Sequence, residues 1–351
     1  MKSSFVKFFC IFCFLSLTLV GAVSAKSTAP RTSKKVAVLP FINYSFDSRA
    51  VSVIADQLYT QLESHNINYI SNTELRPLLR KNRIRSLGSI NAEEVAVLLN
   101  SIDIDLFLIG SINIFIAQDN PEISISMRIL DAKNMHIISA ETYSATGLDF
   151  EKLFGTGILT SIDSLVNKAV LELVENLFAS VVKYETETPI QKQTLAIIPV
   201  DNITEQKRCG RIADNILLTT FVQAGYNVIE PGIIQSIMSK NRRVLRGEID
   251  LETLALINNK VQVDMIVTGG VEQYEVKRGS RQPAIEIGLR TLDASNGKII
   301  SMFNDFRKGN DSETVFGHGI VNAMGNLLTN SFTNYIQSLD KKSEKYFAKH
   351  N

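Results

Sequence analysis

The chain repeats itself. "KKVAVLPFINYS" from Lys34 answers to "QTLAIIPVDNIT" from Gln193, and the match continues through Ala55-Asp56 with Ala213-Asp214 and "KNRIRSLGSI" with "KNRRVLRGEI". It goes on through "DIDLFLIGSI" with "QVDMIVTGGV" and "RILDAKNMHIIS" with "RTLDASNGKIIS", and closes with "FGTGI" at 154–158 and "FGHGI" at 316–320. The order is the same throughout. The unit far exceeds a solenoid repeat of roughly 20–50 residues, and it is long enough to fold by itself. The organisation expected is therefore two modules, 34–183 and 194–337, joined by a polar linker at 184–193 and followed by a charged tail at 338–351.

Within one unit the hydrophobic period changes several times. Val36 to Phe41 is a continuous apolar run of strand length, which suits a strand buried on both faces. Ile54, Leu58 and Leu62 recur at helical spacing, "NYISN" reads as a short strand, and Leu75, Leu78 and Leu79 mark a second helix. A third spans Ala92 to Asn100, with Asn91 as its cap and Glu93 and Glu94 in its first turn. "DLFLIGSINIFI", "EISISMRILDA" and "HIISAETYSA" alternate as successive antiparallel strands, with turns at Asp131–Asn134 and, in the second copy, Asp293–Gly297. A long helix from about Gly157 to Val182 closes the unit. The β-α-β-α-α-β-β-β-α order predicts an α/β (α+β) fold: two tandem modules, each a mixed sheet with helices mainly on one face.

The first 25 residues differ in kind. Lys2 and Lys7 precede an apolar run from Phe8 to Val20, and Val23-Ser24-Ala25 supplies small residues at a cleavage point. The run is shorter than the roughly 20 apolar residues a membrane-spanning helix needs, so a secretory signal peptide cleaved near Ala25 is expected, with a periplasmic protein as its product. Cys10 and Cys13 lie inside the apolar run rather than at its end, which argues against lipid attachment, and Cys209 becomes the sole cysteine of the mature chain. That leaves no intrachain disulfide and no thiolate metal set, with Cys209 either a bland half-buried residue or an intermolecular bridge. The formal charge of +1 for the full chain carries no electrostatic footprint for nucleic acid.

Chemistry-bearing motifs are sparse. His65, His136, His318 and His350 form no i, i+4 pair. "FGTGI" and "FGHGI" resemble phosphate loops, yet Gly157 and Gly319 are followed by Ile158 and Ile320 where such a loop needs Lys and Ser or Thr. Gly155, Gly157, Gly317 and Gly319 are therefore read as backbone hinges beside a helix start, with Phe154 and Phe316 as apolar anchors. Anion binding by free helix-start amides is the functional alternative. Asn43 with Ser45, and Asn202 with Thr204, follow the first strand of each copy; short polar side chains there bond their own backbone, and such loops are also places for partner contacts. No catalytic residue, metal ligand or cofactor-binding set is assigned, and the chain is expected not to be an enzyme.

"VAVLPFINYS", a helix near an Ala-Asp pair, "DLFLIGSI" and "RILDAKN" in that order resemble the module shared by the TolB amino-terminal domain and the curli-secretion CsgG family. The flagellar outer-membrane and H-ring proteins and the lipoprotein activators of penicillin-binding proteins are similar too. The resemblance implies a non-enzymatic envelope protein that works through protein contacts, in curli-type secretion, a flagellum or the cell-wall apparatus. It also implies self-association into an oligomer or ring, and peripheral outer-membrane contact. Against a pore stand the absent lipid-bearing cysteine and repeats too compact for barrel hairpins. The alternative is a periplasmic small-ligand or peptide sensor with its site between the modules and the linker as hinge.

Overall fold

Pro40 lacks the N–H a central strand needs, and it splits the first apolar run into β1 (Val36–Val38) and β2 (Ile42–Asn43). The computed structural model describes residues 32–350 apart from 86–87, 119, 152–155, 188–191, 245–248, 277–281 and 314–318. The first module continues with α1 (Ala50–Ser64), β3 (Tyr69–Ile70), α2 (Asn72–Lys81), α3 (Ala92–Leu99), β4 (Leu106–Ile116), β5 (Glu122–Asp131), β6 (Ile137–Thr146) and α4 (Ile162–Thr186). The second repeats the order: β7 (Thr194–Ile197), β8 (Asp201–Asn202), α5 (Cys209–Gln223), β9 (Asn227–Val228), α6 (Pro231–Lys240), α7 (Leu251–Val261), β10 (Met265–Glu275), β11 (Ala284–Asp293), β12 (Ile299–Lys308) and α8 (Met324–His350).

Each module has one mixed sheet, ordered β3-β1-β4-β5-β6 and β9-β7-β10-β11-β12, with β2 and β8 extending the edges of β4 and β10. The first three strands of each are parallel and the last three antiparallel. Even the irregularity recurs, since the ladder shifts between Ile112 and Ile114 in one module and between Val271 and Gln273 in the other. Local chemistry starts the short helices as expected. Asn91 Oδ1 accepts from the amides of Glu93 and Glu94, and Glu94 returns the bond to the Asn91 amide.

The long helices lie on one face of each sheet, as the sequence suggested, while the short pair takes the opposite face. Ile54, Leu58 and Leu62 of α1 and Leu173 and Leu177 of α4 pack on Val36, Leu106 and Leu108. Leu75 and Leu79 of α2 and Val95 and Leu98 of α3 pack on Ala37, Phe107 and Ile109 from the other side. A short pair spans only part of a sheet. In the first module the remainder, over β5 and β6, is covered by α5 and α8 of the second, so one apolar cluster runs from the first sheet through these helices into the second sheet.

Three sequence expectations change here. The closing helix begins at Ile162 rather than near Gly157, and in the second module it runs past 337 to His350, burying Leu339 and Ser343. Helix α4 extends into the linker as far as Thr186. The modules also share a core instead of standing apart. At their junction a side chain on Gly232 would place its Cβ 2.2 Å from the Ile90 carbonyl oxygen. Gly232→Ala is thus expected to cost about 1–3 kcal/mol through backbone displacement, read as a lowered denaturant midpoint; an unchanged midpoint would refute this close approach.

Candidate functional site

The loops after the first strands fold identically. Asn43 Oδ1 accepts from the Ser45 amide at 2.9 Å and from its hydroxyl at 2.7 Å, while Asn43 Nδ2 donates to the Asp47 carbonyl. Asn202 does the same with Thr204 and Gln206. These polar groups are engaged with their own turns, which is the structural role the sequence suggested. The structure brings the two loops together, because Arg208 of the second donates to the carbonyls of Tyr44 and Ser45 in the first. Cys209 lies buried beneath, its thiol donating to Asn202 Oδ1. Burial raises its pKa, which keeps it a thiol at neutral pH.

Gly155, Gly317, Phe154, Phe316 and His318 lie outside the described residues. Gly157 and Gly319 have φ of +85° and +89°, a conformation that favours glycine. Both lie ahead of the helix starts rather than at them. In the second copy the Met324 amide that opens α8 donates to the Glu122 carboxylate of the other module at 2.8 Å.

Sequence reading missed the groups that join the modules. Arg128 on β5 reaches Glu230, just before α6, with two hydrogen bonds of 2.7 and 2.6 Å, and also donates to the Gly88 carbonyl. Both side chains are almost wholly buried. Beside them a hydrogen-bonded row runs from Asn113 to Ser126, Thr142 and then Thr219 on α5. The available signal was a break in the duplication: Arg128 recurs as Arg290, whereas Glu230 stands where the first copy has Ser71.

Two surfaces remain as functional candidates. One is a cleft of about 1180 Å³ where the modules meet, walled by Tyr44, Phe46, Phe115, Glu122, Cys209 and Tyr274. Tyr274 is 5% exposed, and its hydroxyl has no hydrogen-bond partner among the described residues. Burial and the nearby Glu122 charge raise its pKa, so it stays a neutral phenol. The other is the outer face of β11 and β12, the counterpart of the face that α5 and α8 cover in the first module. It presents Glu286, Gly288 and Arg290 on β11, with Met302 62% and Phe306 50% exposed on β12. The opposite side of β12 is packed, with Phe303 against Tyr335 of α8.

No described helix is long and apolar enough to cross a membrane. The sequence matches no protein-family model and no curated protein. Among solved structures it is similar to a PelC dodecamer from Paraburkholderia phytofirmans, at 16% identity over 43% of this chain and 90% of that one, with a TM-score of 0.29. It is also similar to lipoprotein GNA1162 from Neisseria meningitidis, at 14% identity over 44% and 98% with a TM-score of 0.31. A third is the LpoB carboxy-terminal domain from Salmonella enterica, at 10% identity over 36% and 91% with a TM-score of 0.26.

Proposed function

We propose that this chain is an exported, non-enzymatic protein of the cell envelope that works by protein contact, docking a partner on the outer face of β11 and β12. The observation that carries this reading is the unequal use of one face in two copies of one module. In the first copy it is sealed by α5 and α8, with Glu230, just before α6, set against Arg128; in the second it carries exposed Met302 and Phe306. Exposed apolar anchors on a sheet face are the usual make-up of a contact surface.

The occupant is a different envelope protein that presents an apolar helical layer, as α5 and α8 do to the first sheet. A second copy stacked head to tail fits poorly. Its α1 would offer Gln57 and Gln61 where α5 offers Ile216 and Thr220. Curli, flagellar and cell-wall assemblies are the settings the family resemblance suggests.

A photocrosslinking residue at Met302 in the exported protein tests this. The expected adduct maps to a helical segment of one exported protein, and Phe306→Asp reduces it about tenfold or more. Adducts only between copies of this chain would replace the reading with self-association, and no adduct would remove it.

A further inference from the structure

Residues 76–85 read RPLLRKNRIR, five cations and no acid, in a chain whose formal charge is only +1. The fold keeps all five at the surface. Leu75 and Leu79 of α2 are buried, which leaves Arg76 and Arg80, one turn apart, on the exposed side with Lys81. Past the helix the Ile84 amide donates to the Leu79 carbonyl at 2.9 Å, and Arg83 takes a φ of +56°. Ile84 packs inward, and Arg83 and Arg85 on either side of it stay exposed. None of the five has an ion-pair partner among the described residues. The nearby Glu74 carboxylate is occupied, accepting from the Ser71 amide and hydroxyl at 2.8 Å each.

The module does not need this charge in order to fold. In the second copy Gln235 stands at the place of Arg76, Ser239 at that of Arg80 and Val244 at that of Arg85, and α6 forms all the same. Lys240 and Arg243 of that copy are neutralised, the first by Glu93 at 2.5 Å and the second by Asp250 and Glu252. The helix dipole accounts for Arg80 and Lys81 in the last turn of α2. It gives no reason for Arg76 ahead of them or for Arg85 beyond. The five line neither the intermodule cleft nor the two smaller pockets. A display of charge without walls suits an extended anionic surface rather than an enclosed anion.

We propose that the exposed side of α2 and the turn after it bind the surface of an anionic phospholipid bilayer, with the guanidinium groups on headgroup phosphates. Four of the five cations are arginines, whose donor forks match phosphate oxygens. The inference rests on the export in the proposed function and not on its docking face, which belongs to the other module.

The test is flotation of the full mature chain with vesicles of phosphatidylglycerol and phosphatidylethanolamine, with phosphatidylcholine vesicles as the zwitterionic control. Binding to the anionic vesicles is expected, about tenfold or more above the control and falling steeply with added salt. The variant Arg76→Gln with Arg80→Ser carries what the second copy has at these positions, and its melting temperature should match the parent's. At about fivefold for each cation near an anionic leaflet, it should weaken binding about tenfold or more. Lys341→Gln with Lys345→Gln removes the same charge from α8 and should leave binding within about twofold, because distant charges are screened. Phe306→Asp should leave it unchanged, so failure here is separable from failure of the docking reading. Equal binding to both vesicles, or an equal loss in the α8 variant, overturns the proposal. So does tight binding to soluble polyglutamate, which would assign the face to an acidic protein, or saturable binding of inorganic phosphate, which would make it a discrete anion site.

Discussion

Arg128→Met is expected to lower unfolding stability by about 3–5 kcal/mol, the usual cost of removing one partner from a buried ion pair. The cost comes from the survivor: Glu230 is fully buried, and its carboxylate would keep only the Ile90 amide among the bonds that now hold it. Denaturant unfolding followed by circular dichroism should show a lower midpoint, and it should broaden or split if the modules begin to unfold separately. The double variant Arg128→Met with Glu230→Met should recover most of the loss, since an apolar pair strands no charge. A single-variant cost below about 1 kcal/mol would contradict the burial of the pair.

The second large effect is on pH. Asp214 of α5 accepts from the Val200 amide at 2.8 Å and has Arg211 at 3.6 Å, but burial dominates and raises its pKa to about 7. The folded state therefore binds this proton more tightly than the unfolded chain. The stabilisation is complete below the unfolded value of 3.8 and is lost as pH rises through 7. Asp214→Asn, which keeps the acceptor for Val200, should flatten that segment of the profile. It should also make the protein more stable than the parent at pH 8, by on the order of 3 kcal/mol. Melting temperatures of both proteins from pH 4 to 8 provide the check, and parallel profiles would mean that Asp214 does not titrate in this window.

Much of the module was legible in sequence because its signals are local. Asn91 and Glu94 meet within one helical turn, and Asp131 turns the chain by accepting from the amides of Lys133 and Asn134. The helix starts were misplaced around Gly157 and Gly319, since a glycine with positive φ reports a turn without saying how many residues later the helix begins. The cleft was legible only as a general position between modules. Phe46, Glu122, Cys209 and Tyr274 come from four distant segments, and no spacing rule connects them.

By itself the sequence determined the duplication and the order of elements, because strand and helix periods are set by residues close along the chain. Only the tertiary structure decided which faces are buried, and there the local pattern points the wrong way twice. Ser124 and Ser126 alternate with isoleucines as a solvent face should, yet both are buried, satisfied by Ser144, Thr142 and Asn113 beneath the second module. Met302 and Phe306 are large apolar side chains on one face of β12, on either side of Asn304, yet they stand exposed. Polarity along a strand states what a face can tolerate. What covers it depends on the element brought against it from far along the chain, and hydrogen bonds made across that junction can bury serines as readily as carbon packing buries isoleucines.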